Sequence, residues 1–117
     1  MSKKRDYTLF LYDIVSSIER VEKYTTGLSK KKFLEHEIIS DATVRNMEVI
    51  GEAARNIPEE VRRLSPNIPW KKIVGFRNIV IHEYFFIDLE NVWFIAKKQL
   101  PELKKQIKNL LNEIKSK

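Results

Sequence analysis

The sequence predicts an all-α protein, a bundle of four main helices and one additional short helix that run up and down. Apolar residues recur at helical spacing along nearly the whole chain, as in helices that bury one face. With 3 Gly and 4 Pro in 117 residues, the chain has too few turn-forming residues for a β sandwich. Its 43% hydrophobic and 32% charged residues suit a helical protein. The length corresponds to a single domain covering residues 1–117.

The first half of the chain contains two long amphipathic segments. Apolar side chains at i, i+3, i+4 spacing define a first helix, for which Asp6 is the predicted N-cap and residues 25–27 the predicted end. The three lysines at 30–32 are expected to form a loop or short turn. The second helix is expected from about Glu35 to Asn56, with apolar residues over a wide arc of its surface.

Prolines divide the second half of the chain. They leave room for a short helix at Glu59–Leu64, and Pro69 is expected near the first position of the third main helix. Asp88 is the predicted N-cap of the last helix, whose apolar stripe continues almost to the C-terminus. Pro101 lies inside that stripe, where it is expected to kink the helix or divide it in two.

The composition excludes several classes of protein. The absence of Cys removes disulfides, thiolate metal sites and cysteine nucleophiles, and it fits a reducing compartment, so we expect a cytoplasmic protein. No apolar run approaches the ~20 residues that a membrane span needs, and no signal-type stretch follows the N-terminus. Neither a metal site nor a bound cofactor is expected, because metal-ligand spacings and glycine-rich phosphate loops are absent.

The net charge of +6 is concentrated at one end of the chain. Residues 1–96 contain 15 basic and 14 acidic residues, whereas the last 21 residues contain 7 Lys and 2 Glu. This basic segment could attract RNA or an acidic partner, and it could equally be a solvated helix face.

Polar groups suited to chemistry concentrate in the third main helix. Arg77, Asn78, His82 and Tyr84 lie within eight residues of one another, whereas His36 stands between two glutamates and is expected to be a surface or helix-start residue. On a straight helix Arg77 and His82 are about 140° apart, so one small phosphate could not easily touch both. The geometry therefore favours a site at a helix end or in a cleft completed by a second subunit.

The run Arg77-Asn78-x3-His82-x-Tyr84 resembles the HepT-like branch of the HEPN superfamily, which consists of small helical ribonuclease toxins. The resemblance covers most of the chain, and it extends to Asp41, Arg45, Gly51–Ala53, Ile68–Trp70 and Asp88–Trp93. It implies a HEPN-type four-helix bundle that forms a homodimer, with arginines and histidines of both subunits lining one cleft.

The activity that the resemblance implies is metal-independent cleavage of cellular RNA. Arg77 would stabilise the negative charge that gathers on the phosphate, and His82 would transfer protons, because imidazole is the side chain best suited to take up and release a proton near neutral pH. Asn78 would orient the imidazole or the phosphate. Because each chain has one histidine in the motif, we expect the two His82 side chains of a dimer to share the proton transfers.

The resemblance also implies a partner and a modification. In toxins of this type, known from type VII HepT/MntA-like toxin–antitoxin systems, an MntA-like nucleotidyltransferase antitoxin adenylylates the tyrosine of the His-x-Tyr motif. Here that residue is Tyr84, and an added phosphate would repel RNA from the cleft.

A stripe on the second helix leaves two interpretations open. Asp41, Arg45, Glu48 and Glu52 share one side of the helix, as a solvated salt-bridged face or as a face turned to the cleft. In the second case Asp41 and Arg45 would help to position Arg77 and His82. The function also has an alternative, a non-catalytic helical module that binds a nucleotide or partners a nucleotidyltransferase.

Overall fold

The computed structural model describes the backbone of residues 3–82 and 88–116 and the side chains of residues 7–77 and 88–116. Within these ranges the chain forms helices and no strand, which confirms the predicted all-α class. The helices are α1 (Lys3–Thr25), α2 (Lys30–Glu35), α3 (Glu37–Arg55), α4 (Glu59–Arg62), α5 (Trp70–His82), α6 (Leu89–Phe94) and α7 (Leu100–Lys115), with a π-helical turn at Ile95–Gln99. Two short helices, α2 and α4, accompany the four main ones, where the sequence predicts a single short helix.

Helix α1 ends where the sequence predicts but begins earlier. Its backbone is helical from Lys3, so Asp6 lies inside the helix and its predicted role as N-cap is wrong. The basic residues before Asp6 are good helix formers and extend the helix. At the other end, the Thr25 hydroxyl donates to the Val21 carbonyl at 2.8 Å, and Gly27 adopts a φ of 77° that ends the helix.

Side-chain caps start the next two helices. The Ser29 hydroxyl accepts the Lys32 N–H at 3.2 Å, so the three lysines form a short helix rather than a loop. The Nδ1 atom of His36 accepts the Ile39 N–H at 3.3 Å and caps α3. His36 is therefore a helix-start residue, as its position in the sequence indicates.

Arg62 joins the end of α3 to the start of α5. Its guanidinium donates from Nη2 to the Ala54 carbonyl at 3.0 Å and from Nε to the Ile57 carbonyl at 3.1 Å. The same group lies 5.8 Å from the centre of the Trp70 ring. Trp70 in turn donates its indole N–H to the Ser65 carbonyl at 3.1 Å. Arg62 thus adds a charged donor to the last turn of α3, where the Ala54 carbonyl also accepts the Ile57 N–H, and to the Ile57 carbonyl just beyond the helix.

Pro69 and Asp88 stand at the starts of helices, as predicted. Pro69 directly precedes α5, and its carbonyl accepts the Ile73 N–H at 3.0 Å. The Asp88 carboxylate accepts the Asn91 N–H at 3.2 Å and caps α6.

The last main helix is divided near Pro101. Proline has no N–H and its ring crowds the carbonyl four residues earlier, so an unbroken α-helix is disfavoured here. The chain widens into the π-helical turn, in which the Leu100 N–H bonds to the Ile95 carbonyl five residues earlier. Pro101 then occupies the first turn of α7, where a missing N–H is tolerated.

Helix α3 is the centre of the bundle. It packs against α1 on one side and α5 on the other, and α1 also packs against α7. The core of the bundle consists of buried aliphatic side chains with Phe33, Met47, Trp70 and Phe76. None of the described helices is long and apolar enough to span a bilayer.

Candidate functional site

A glycine allows α3 to approach α5 at Arg77. A Cβ atom added to Gly51 would lie 2.9 Å from the backbone nitrogen of Arg77 and 3.2 Å from the carbonyl oxygen of Ile73, closer than van der Waals contact. Because Gly51 has no side chain, the backbones of α3 and α5 can come into contact at Arg77, the candidate catalytic arginine.

The arginine side chain is held by the residue that follows this glycine. Arg77 Nε lies 3.2 Å from the Glu52 carboxylate. The side chains of Arg77 and Glu52 are 39% and 48% exposed. Glu52 also contacts the Arg55 guanidinium at 3.5 Å. Because water screens such a half-exposed pair, it contributes at most about 1 kcal/mol to stability, and its main effect is to orient Arg77.

Arg77 opens onto a groove of about 460 Å³ between three helices. Phe10 and Asp13 come from α1, and Arg45, Glu48, Val49, Glu52 and Ala53 come from α3. Two arginines and three carboxylates therefore line this groove, which we call the Arg77 groove. Its size and mixed charge suit a polar ligand with several hydrogen-bonding groups.

The polar stripe of α3 mostly faces this groove. Arg45, Glu48 and Glu52 line it together with Arg77, whereas Asp41 is exposed about three helical turns from Glu52. Among the described residues, Glu52 forms an ion pair with Arg77. The sequence places Glu52 on the polar stripe but does not assign it to the site. The supporting roles expected for Asp41 and Arg45 stay predictions.

Several predicted site residues lie outside the described side chains. Asn78 and His82 belong to α5 by their backbone, and nothing is described of their side chains. Tyr84 lies outside the described residues altogether, as do Phe85 and Phe86. The predicted roles of these residues stay predictions.

The two tryptophans, predicted to serve packing, are in contact with the core. Trp70 is 7% exposed and bonded to Ser65, as described above. Trp93 lies 5.1 Å from Phe33 between ring centres.

Among the C-terminal lysines that the structure describes, four have partners within the chain. Lys104 pairs with Glu22 of α1 at 2.6 Å and Lys108 pairs with Glu19 at 3.6 Å. Lys97 and Lys115 lie over the rings of Trp93 and Tyr12. Part of the basic segment therefore attaches α7 to α1.

No group of three or more His, Asp or Glu side chains within the described part of the chain is arranged to hold a metal ion.

Fold and site together define a small all-α bundle with a charged groove, into which the third main helix presents an arginine that is followed five residues later by a histidine. Residues 14–110 match the family described as Ribonuclease HepT-like. The chain belongs to the HepT-like ribonuclease family.

Individual relatives are similar over nearly their whole length. A Methanocaldococcus jannaschii protein provisionally named as an RNase is 43% identical over 104 residues, which cover 89% of this chain and 95% of the relative. A second protein of that organism, named in the same way, is 38% identical over 114 residues, covering 97% and 98%. A Thermococcus cleftensis protein named "Probable ribonuclease HepT" is 36% identical over 107 residues, covering 92% and 97%. No solved structure matches the chain.

Proposed function

We propose that the chain is a ribonuclease toxin that cleaves cellular RNA in the cytoplasm without a metal ion, and that Arg77 and His82 are its catalytic residues. The observation that carries this proposal is the Arg77 groove, in which a permanently charged group is held ready for a phosphate. Family membership and the names of the relatives support RNA as the substrate.

Arg77 is suited to bind the reacting phosphate. Glu52 holds its Nε edge, and the guanidinium fork offers further N–H donors. Because the side chain is 39% exposed, a ligand in the groove can reach it. Charge-assisted bonds from arginine to phosphate strengthen as negative charge gathers in the transition state, which accelerates the reaction.

His82 is proposed to move the protons. Its imidazole takes the proton of a ribose 2′-hydroxyl, whose oxygen forms a bond to the adjacent phosphorus while the bond from phosphorus to the leaving 5′-oxygen breaks. A second imidazole donates a proton to that leaving oxygen, so that proton transfer is balanced. The products are a 2′,3′-cyclic phosphate and a free 5′-hydroxyl.

The position of His82 on α5 supports a homodimer. Five helical residues separate it from Arg77, which corresponds to about 7.5 Å along the axis and about 140° around it. The His82 of a second subunit can therefore reach a phosphate bound by Arg77 more easily than the His82 of the same subunit can. A two-fold symmetric dimer would bring both arginines and both histidines to one cleft.

The proposal is tested by RNA cleavage with purified protein in the presence of EDTA. Arg77→Ala and His82→Ala are each expected to lower kcat by at least about 100-fold. Arg63→Ala removes another exposed arginine, and His36→Asn replaces the other histidine by a residue that keeps the helix cap. Both controls should cleave RNA like the unchanged protein.

The outcome of this experiment separates the two candidate functions. If the unchanged protein and all four variants behave alike, the residual cleavage is a contaminant and the ribonuclease proposal fails. A protein that binds nucleotides or a nucleotidyltransferase without cutting RNA would then be the better description.

Sharing of the proton transfers is tested with mixed dimers. A dimer in which one subunit carries His82→Ala should lose most of its activity at the shared cleft. Full activity of such a dimer would contradict the sharing.

Tyr84 is proposed as the site of regulation by an MntA-like nucleotidyltransferase antitoxin. An AMP group on Tyr84 would add negative charge two residues from His82 and repel RNA. Mass spectrometry after incubation with ATP and the partner should find AMP on the unchanged protein. Equal modification of Tyr84→Phe would refute this assignment.

A further inference from the structure

A second cavity continues from the Arg77 groove along α1 and α3. It has a volume of about 280 Å³ and is lined by Arg20, Tyr24, Ala42, Arg45, Asn46 and Val49. Arg45 and Val49 line both this cavity and the Arg77 groove, so the two spaces adjoin. A ligand bound at Arg77 can therefore extend into the second cavity.

The two spaces differ in charge. The Arg77 groove has two arginines against three carboxylates, whereas the charged side chains that line the second cavity are Arg20 and Arg45. Neither of these arginines takes part in an ion pair within the described part of the chain. Two exposed arginines facing one cavity without a carboxylate attract an anion.

The other groups of the cavity suit a nucleotide. Tyr24 is half-buried and has a phenol that can donate to a phosphate oxygen. Val49 is 40% exposed and offers an apolar surface between the two spaces. Asn46 donates its amide to the Ala42 carbonyl at 2.8 Å, which holds that wall of the cavity in place.

We propose that the cavity of Arg20 and Arg45 binds a backbone phosphate of the RNA next to the phosphate that is cleaved at Arg77. This inference rests on the proposed function, and it identifies the substrate as a strand of several nucleotides. Arg45 precedes Glu52 by seven residues on α3, about 10 Å along the helix axis, so the strand runs along α3. The three carboxylates of the Arg77 groove weaken its attraction for a polyanion such as RNA. The two arginines of the second cavity compensate for this loss.

The first test measures RNA binding. A fluorescent single-stranded octanucleotide is titrated with His82→Ala protein, which prevents cleavage, at several salt concentrations. Adding Arg20→Ala and Arg45→Ala should weaken binding at least tenfold and flatten the slope of log K against log salt by about 0.7, because one phosphate contact is lost. A control with Arg63→Ala and Lys105→Ala removes the same charge outside both cavities.

The second test measures cleavage. The unchanged protein should have a higher kcat/KM for the octanucleotide than for a dinucleotide, which is too short to reach the second cavity. Arg20→Ala should reduce the ratio of the two values at least tenfold, mainly through KM of the longer RNA, while Arg63→Ala keeps the ratio. Circular dichroism verifies that each variant is folded.

The results distinguish this inference from the proposed function. If the protein binds the octanucleotide through Arg20 and Arg45 but cleaves neither RNA, the phosphate site stands and the ribonuclease proposal fails. If the protein cleaves RNA but the arginine variants match the control, the phosphate site is overturned. Unchanged RNA binding with weakened binding to the nucleotidyltransferase would also overturn it, and would assign the cavity to a protein partner.

Discussion

Replacing Gly51 by alanine should disturb the contact between α3 and α5 at Arg77. The new Cβ atom would lie 2.9 Å from the Arg77 nitrogen and 3.1 Å from its Cβ atom. Neither is the end of a flexible side chain, so the helices must separate by a few tenths of an ångström. Extra atoms forced into a close-packed contact cost about 1–3 kcal/mol.

Gly75→Ala is a matched control for this substitution. Gly75 is also a helical glycine, but a Cβ atom there would meet nothing within 4 Å. Both substitutions gain up to about 1 kcal/mol of helix propensity, so the difference between them isolates the close contact.

The expected difference in melting temperature follows from the chain length. An unfolding entropy of about 2.1 cal/mol/K per residue gives roughly 0.25 kcal/mol/K for 117 residues, so a difference of 1–3 kcal/mol corresponds to roughly 4–12 °C. Thermal unfolding followed by circular dichroism measures it, with Gly51→Ala as the less stable variant.

Cleavage of RNA provides a second measurement. Because the displaced backbone carries Arg77, Gly51→Ala should lower kcat/KM, whereas Gly75→Ala should not. If the two variants melt at the same temperature, the close contact between α3 and α5 does not have the energetic role assigned to it.

Three further substitutions test other parts of the structure. Arg62→Ala should lower the free energy of unfolding by about 1.5–3 kcal/mol because it leaves two carbonyls of the α3 end without their charged donor, and denaturant unfolding should show Arg63→Ala within about 0.5 kcal/mol of the unchanged protein. Gly27→Ala should cost about 1–2 kcal/mol because φ is 77° there, and an unchanged melting temperature would contradict this. Glu52→Gln should lower kcat for RNA cleavage by about 10–100-fold because Arg77 loses its orientation. It should also lower KM because the groove loses a negative charge. An unchanged kcat would show that Glu52 does not contribute to the site.

Local signals in the sequence were sufficient for most of the fold. The apolar spacing of α1 and α3, the cap at Asp88 and the helix start after Pro69 depend on residues a few positions apart, so they can be predicted without the structure. The prediction that Asp6 caps α1 was wrong, because the residues before it are strong helix formers and α1 begins at Lys3. Aspartate is a preferred N-cap residue, which is why the sequence suggested this role. The division at Pro101 was predictable, but its form as a π-helical turn was not, because a kink and a break would relieve the crowding by the proline ring equally well.

The candidate site was predictable in part. Arg77 could be singled out because it shares one stretch with Asn78, His82 and Tyr84, and because that run resembles the HepT-like family. Its contact with Glu52 could not, because this pairing depends on the rotation of α3 relative to α5. Phe10 and Asp13 of α1 carry no sequence signal, since the fold alone brings them to the Arg77 groove.

The contacts of Arg62 link stability and activity at a distance. Arg62 and Trp70 hold the bend between α3 and α5, and Arg77 lies seven residues beyond Trp70, about 10 Å along α5. The helix acts as a lever about this bend: a tilt of about 10° at Trp70 would move Arg77 by roughly 2 Å, enough to break its contact with Glu52. Substitutions of Arg62 or Trp70 would therefore lower kcat for RNA cleavage, although neither residue lines the Arg77 groove.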